Sequence, residues 1–469
     1  MNKFPWGRSL SDPAPRGIGK IKLVGLLLVI AGIGHVSYHG FTGGVPEIRL
    51  PSELRGIGRS TAVSIQTTDR RGLTRFEVTL EQDGRMHPIL SESYGERWSL
   101  WNLGPTDLLR EMELGTSHQE DLHDGPATLH IRASNRKWIG GESTLDHPLV
   151  VRTRPPTIEV LSGLLYVNQG GSEMVLYRVS ESAIESGVQV GTYFFPGHPL
   201  SGGQPGDRIA LFGFPYDLTA ETRGQVVARD DAGNAALANF PHQVIAKRFR
   251  SRDIEINDTF LQTVVPAILA NTPQITDQGD LLKNFLELNG RLREMNRAQI
   301  AEVARQTAPT MLWDGPFLQL ANSAVESQFA DFRTYLYAGE KVDEQTHLGF
   351  DLATVQRDSV KASNDGTVVF AADLGIFGNS ILLDHGLGLQ TLYSHLSSFG
   401  VEPGDRVVKG QEIAKSGSTG MAGGDHLHFT TLLNGVEVNP IEWWDPLWIR
   451  QHILEKLPDN LRTTATTAP

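Results

Sequence analysis

Residues 365–396 read DGTVVFAADLGIFGNSILLDHGLGLQTLYSHL, and residues 404–417 read GDRVVKGQEIAKSG. Short apolar and β-branched runs are separated by Gly, Asn and Asp, which is how strands joined by tight turns are written. The final domain, 309–450, is therefore expected to be antiparallel β. Within and beside these runs lie three strings that carry chemistry: HLGFD from His347 to Asp351, SHL around His395, and HLH from His426 to His428. In an extended strand, side chains at i, i+2 and i+4 share a face. His347 and Asp351 can therefore converge on one point, and His426 and His428 can face one cavity.

The composition agrees with this chemistry. The 469 residues contain no cysteine, so a metal here must be held by histidine and carboxylate, and thiol nucleophiles and disulfides are excluded. Two histidines, one aspartate and a water fill the tetrahedral shell of a catalytic zinc. The helical zinc signature His-Glu-x-x-His is absent, so these ligands are expected on strands. A formal net charge of −12 argues against a nucleic-acid partner, which would need clustered Lys and Arg.

Working outward, the length calls for several domains, because a single core stops growing well below this size. Residues 257–307, from NDTFLQTVVPAILAN to RAQIAEVARQT, place apolar residues at three- and four-residue spacing and read as a helical connector. Asp258 or Asp277 can cap its helices, and Pro266 should kink or shorten the first. Upstream, alternating runs such as TRFEVTLEQDG, ATLHIRASN and EMVLYRVS point to two β-sandwich modules, 46–153 and 155–245, resembling bacterial immunoglobulin-like modules and hinged at Pro155-Pro156. His118, Asp121, His123 and Asp124 are close together in the first module and read as a solvated polar loop rather than a metal site.

The N-terminus carries Lys3, Arg8, Arg16, Lys20 and Lys22 before LVGLLLVIAGIGHV, Leu23–Val36. A basic cytoplasmic segment, 1–22, followed by a transmembrane signal anchor, 23–41, is expected, with the bulk of the chain exported across that membrane. A cleavable signal peptide is the second reading, and no Ala-x-Ala site follows to support it. The tail, 458–469, has too little apolar content to fold. The fold class expected is mainly β and multidomain: a membrane segment, two sandwich modules, a short helical connector and a C-terminal antiparallel β domain.

The strings HLGFDLA, VKASNDGTVVFA, GNSILLDHGLGLQTLYSHL, VEPGDRVVKGQEIAKSGSTGMAGGDHLHFTTLLNG and VNP, spread from about residue 327 to Pro440, together resemble the lysostaphin- or LytM-type zinc metallopeptidases, family M23. The resemblance implies one zinc ion per chain on His347, Asp351 and His428. It implies His426 as general base, and His395 as a residue that orients the water or stabilises the oxyanion. The activity implied is endopeptidase cleavage of amide bonds in peptidoglycan cross-links or stem peptides. Some relatives have lost ligands and act as non-catalytic scaffolds or activators of amidases, but all five positions are intact here. A regulatory protein partner would fit either reading. His385, in LLDHGLG, sits at a strand end and is not expected in the shell. SGSTGMAGGD, Ser416–Asp425, is either a cleft wall or a structural turn.

Overall fold

The computed structural model describes residues 18–50, 54–95, 104–137 and 139–458. The basic segment before residue 18 and the tail after residue 458 lie outside the described residues. The chain opens with α1, Ile18–Phe41, where the expected membrane segment falls; its apolar side chains from Leu23 to Ile33 are exposed. Among the described residues no helix is long and apolar enough to cross a membrane. The chain divides into two compact units, Met1–Arg154 with Asp231–Asn234, and Pro155–Asp230 with Ala235–Pro469.

In the first unit, β1 (Thr61–Thr68) lies between Glu47–Arg49 and Asp107–Leu114 in a three-stranded sheet. A five-stranded sheet contains β2 (Leu73–Gln82), Arg85–Ser93, β3 (Gly125–Asn135) and Glu142–Val151. Alternate residues of both sheets meet in one core: Val63 and Ile65 from β1, Phe76, Val78 and Leu80 from β2, Leu129 and Ile131 from β3. This two-residue period is the one the sequence carries.

The second unit begins with a second pair of four-stranded sheets, whose central strands are β4 (Ser172–Val179), β5 (Ala183–Val190), β6 (Asp207–Gly213) and β7 (Gly224–Asp230). Their core does not end at the module. Val175, Tyr177, Val188 and Phe212 belong to the same cluster as Trp313, Phe317, Trp443 and Trp448 of the C-terminal domain. Buried polar contacts tie the two parts together: Trp443 Nε1 donates to Ser172 Oγ at 3.1 Å, and Glu442 accepts from Asn168 Nδ2 at 2.7 Å and from the Ser172 amide at 2.6 Å. Gly171 has to be glycine for this approach, since a Cβ there would stand 2.3 Å from a Glu442 oxygen.

The helical segment is a crossover. The strand β8 (Ser251–Ile256) pairs in parallel with β9 (Asp331–Tyr337), and β9 pairs antiparallel with β10 (Glu340–His347). Parallel neighbours need a long connection, and α2 (Asp258–Leu269), α3 (Leu281–Glu287) and α4 (Arg293–Val303) lie within it. The caps differ from those expected at Asp258 and Asp277. Asn257 accepts from the Phe260 amide at 2.9 Å and Asp280 from the Lys283 amide at 2.9 Å, while Asp277 serves the turn before α3 through the Gly279 amide. Pro266 lies inside α2, which runs on to Leu269.

The C-terminal domain is built on a mixed-length antiparallel sheet ordered Ala324–Ser327, β11 (Phe350–Ala353), β15 (Leu427–Leu433), β14 (Leu389–Ser394), β13 (Asn379–Asp384), β12 (Gly366–Asp373) and Arg406–Val407. Two short helices, α5 (Pro440–Trp444) and α6 (Pro446–His452), follow.

Burial holds Glu442 up to about 7, and its bonds to Asn168 and Ser172 only partly oppose that rise. An acid with a raised folded-state pKa binds more protons folded than unfolded, so its contribution favours folding most below its unfolded pKa and declines as pH rises toward 7. The melting temperature of the full chain, followed from pH 5 to 7.5 beside Glu442→Gln, is expected to fall relative to the variant. Parallel curves would show that Glu442 carries no such linkage.

Candidate metal centre

Strand register assembles the site. Asp351 on β11 stands opposite His428 on β15, and His428 stands opposite Ser394 on β14, one residue before His395. His347 ends β10 and reaches the same point four residues before Asp351. Gly349 between them leaves room for the ring: a Cβ there would lie 2.6 Å from His428 Cε1 and 2.6 Å from Thr430 Oγ1. All three side chains are buried.

The three inward atoms form a triangle of equal sides. His347 Nε2, Asp351 Oδ1 and His428 Nδ1 are each 3.0 Å from the other two. The far side of each ring decides what those atoms carry. His347 Nδ1 lies 3.0 Å from the Gln328 carbonyl, which can only accept, so the proton sits on Nδ1 and Nε2 presents a lone pair. Thr430 Oγ1 donates to the Leu348 carbonyl at 3.0 Å, and so accepts from His428 Nε2 at 2.9 Å; His428 Nδ1 is then also a bare lone pair. Two imidazole lone pairs and a carboxylate oxygen meet with no proton between them. Such an arrangement is repulsive unless a cation sits at its centre, and its sides approach the edges of about 3.3–3.4 Å expected of a tetrahedral zinc shell. Among the described residues, this is the group of His and acidic side chains close enough to hold a metal ion.

Electrostatics agree. Burial alone would raise the Asp351 carboxyl, but the adjoining His347 and His428 outweigh it and hold the group well below the usual carboxylate range, so it is ionised. Burial pulls His428 down to about 4, so its ring is neutral at physiological pH. The second carboxylate oxygen is engaged by a residue that sequence reasoning missed: Arg333 on β9 donates from Nη2 to Asp351 Oδ2 at 2.8 Å. Burial works against the Arg333 charge, and Asp351 with Tyr335 more than offsets it. Strand alternation gave no sign of Arg333. Thr430, by contrast, continues the His426, His428 period on one face and was readable there.

The two remaining histidines stand beside the triangle. His395, at a left-handed φ of 61°, is fixed by its amide to the Phe377 carbonyl at 2.9 Å and by Nδ1 to the Thr419 carbonyl at 2.8 Å. His426 is half-buried, with Nδ1 2.9 Å from the Gly424 carbonyl and Nε2 3.6 Å from Asp351 Oδ1. Their rings are 4.8 Å apart. In both, Nδ1 donates to a backbone carbonyl, so in the neutral ring Nε2 carries the lone pair. Burial, reinforced by the neighbouring His426 and His428, holds His395 well below the usual imidazole range. All five open onto a cleft of about 820 Å³, whose other wall includes Phe260, Arg293 and the Met421–Asp425 segment of the SGSTGMAGGD loop.

Other polar residues considered in the sequence are engaged elsewhere. His385 is buried, bonded through Nδ1 to the Asp365 carbonyl and through Nε2 to Thr391, and its burial pulls it down to about 4. In the first unit His118 contacts Glu113, His123 contacts Asp83, Asp121 contacts Arg85 and Asp124 contacts Thr153, so these four do not share a focus.

Comparison with known proteins places this geometry. The model of peptidase family M23 matches residues 345–440. The DD-carboxypeptidase/endopeptidase Mpg of Neisseria meningitidis serogroup B is 42% identical over 95 residues, covering 20% of this chain and 22% of that protein. The peptidoglycan DD-endopeptidase ShyA of Vibrio cholerae is 38% identical over 96 residues, with the same coverage of 20% and 22%. The matches thus span about a fifth of these relatives. A peptidase M23 crystal structure from Pseudomonas aeruginosa aligns over 59% of this chain and 94% of its own, at 19% identity and a TM-score of 0.36. The matched stretch contains His347, Asp351, His395, His426 and His428, so the similarity to peptidase family M23 lies in this C-terminal domain and includes the whole site.

Proposed function

We propose that the chain is a zinc-dependent endopeptidase that hydrolyses amide bonds in peptidoglycan cross-links or stem peptides. The observation that carries this reading is the triangle of facing donor atoms, His347 Nε2, Asp351 Oδ1 and His428 Nδ1, beside two further imidazoles, His395 and His426, in an open cleft. The name of the Neisseria relative supports the endopeptidase activity, and that of the Vibrio relative supports the substrate class as well. Zinc, when bound by those three residues, supplies Lewis acidity and lowers the pKa of water toward about 7.

The chain's own groups supply the rest. His426 accepts a proton at Nε2 and returns it to the leaving amine, a role that needs a neutral imidazole near the reacting atoms. His395 presents a lone pair, so it orients the attacking water by accepting; donation to an oxyanion requires that it first take up a proton. Arg333 fixes the Asp351 carboxylate, and Gln328 and Thr430 fix the tautomers of His347 and His428. The exposed apolar face of α1, after the basic residues Lys3 to Lys22, supports anchoring in a bacterial inner membrane with the remainder in the periplasm.

Incubation of the full chain with purified sacculi should release muropeptides detectable by mass spectrometry. A chelator should stop the release and added zinc restore it; release indifferent to chelation would contradict the reading. His428→Ala should lose both zinc and turnover, whereas His426→Ala should keep zinc and lose about 10²–10⁴-fold in rate. Equal loss of metal in both variants would overturn the division of roles.

Thr430→Val removes the acceptor that sets the His428 tautomer, together with the hydroxyl's bond to the Leu348 carbonyl. Competition against a zinc indicator should show affinity weakened by about 10–100-fold, and unchanged affinity would refute the tautomer argument. Anchoring has its own test. After cell fractionation the chain should stay with membranes through carbonate washing, and a chain lacking residues 1–41 should not; equal recovery in the soluble fraction would refute it.

A further inference from the structure

The cleft also holds a cation for which the proposed chemistry has no use. Arg293 opens α4 directly after a π-helical turn, Leu288–Leu292. Turns of this kind interrupt the helical ladder and are frequent where a side chain is re-aimed for function. Here the turn buries Asn289 completely and brings Arg293, half-buried, to the lining of the same cleft as the histidines.

Its guanidinium is held by neutral acceptors. Asn289 Nδ2 donates to Asp343 Oδ2 at 2.6 Å, which turns Asn289 Oδ1 toward Arg293. That oxygen accepts from Nη2 at 2.5 Å, and the Asn289 carbonyl accepts from Nε at 3.0 Å. The other contact is a weak one to Met421 Sδ at 3.9 Å. Nearby arginines have partners: Arg297 pairs with Glu437, Arg333 with Asp351, and Arg252 donates to the Glu326 carbonyl. Glu255, Glu326 and Asp425 also line the cleft, yet among the described residues no carboxylate forms an ion pair with Arg293. Burial pulls the group down to about 10, partly opposed by the Asp343 carboxylate behind Asn289, so it stays charged at neutral pH while making no ion pair of its own. A planar fork positioned in advance, with no anion of its own, suits recognition of a carboxylate.

The substrate class proposed above can supply that anion. When an acyl group is joined to the amine of a diaminopimelate centre, the carbon bearing the scissile nitrogen also bears a free carboxylate. A glycine bridge has no charge at that place. The geometry points to Arg293 as a specificity-determining residue that binds a substrate carboxylate beside the scissile amide, favouring cross-links onto a carboxylate-bearing diamino acid over uncharged bridges. This inference rests on the peptidase reading.

The test uses the zinc-loaded full chain and two synthetic cross-linked peptides, identical except for a carboxylate or a carboxamide on the carbon bearing the scissile nitrogen. The unaltered chain should prefer the carboxylate by about tenfold to a hundredfold in kcat/KM. Arg293→Gln should bring the ratio close to one, and Arg293→Lys, which keeps charge without the fork, should fall between. A ratio near one in the unaltered chain, or the same ratio in Arg293→Gln, would overturn the proposal. Should Arg293→Gln fail to fold, an Arg293→Lys ratio equal to that of the unaltered chain would overturn it.

Calorimetric binding of both peptides to the chelator-treated chain reads the same preference without turnover. Binding preference lost in Arg293→Gln, with neither peptide cleaved, would retain the subsite and sink the peptidase reading. Cleavage of both peptides with no preference would do the reverse.

Discussion

The repulsion among three lone pairs is the constraint around which the C-terminal domain is organised. His347 Nε2, Asp351 Oδ1 and His428 Nδ1 stand 3.0 Å apart in a buried place, and each is kept free of a proton by a bond made on its other side. Burying such a set costs free energy for each uncompensated polar atom, a cost that a cation at its centre would offset. The strand register, the missing Cβ at Gly349 and the hydroxyl of Thr430 are conditions for that meeting.

What surrounds the triangle divides into support and chemistry. Arg333, Gln328 and Thr430 act on the donors from behind and do not face a reacting atom directly. His395 and His426 turn their unprotonated nitrogens outward, each with Nδ1 anchored on a backbone carbonyl. The two rings are 4.8 Å apart, and burial holds His395 well below the usual imidazole range. The helical crossover matters for the same cleft, since α2 and α4 furnish Phe260 and Arg293 to its far wall.

Much of this was legible in the sequence, and the reasons are physical. Period-two patterning marks strands because alternate residues face opposite sides, and His-x-His with His-x-x-x-Asp places the donors on shared faces. Less accessible were features fixed by tertiary packing. Capping fell to Asn257 and Asp280 because backbone geometry, not composition, selects among adjacent acids and amides. Arg333 lies on a strand whose parallel partner, Ser251–Ile256, is some eighty residues away, so no local pattern announced it. The core shared by Val175, Phe212, Trp443 and Trp448 likewise depends on distant segments. Arg293 was hidden for a different reason: a π turn shifts the helical phase, and a periodicity of 3.6 then assigns the residue to the wrong face.

The central claim is that the three lone pairs hold one zinc ion. X-ray absorption at the zinc edge of the zinc-loaded chain reads it most directly. The account predicts four light-atom neighbours at about 2.0–2.1 Å with the outer-shell scattering of two imidazoles, losing one imidazole in His347→Ala. A spectrum without imidazole scattering, or one unchanged by that substitution, would contradict it.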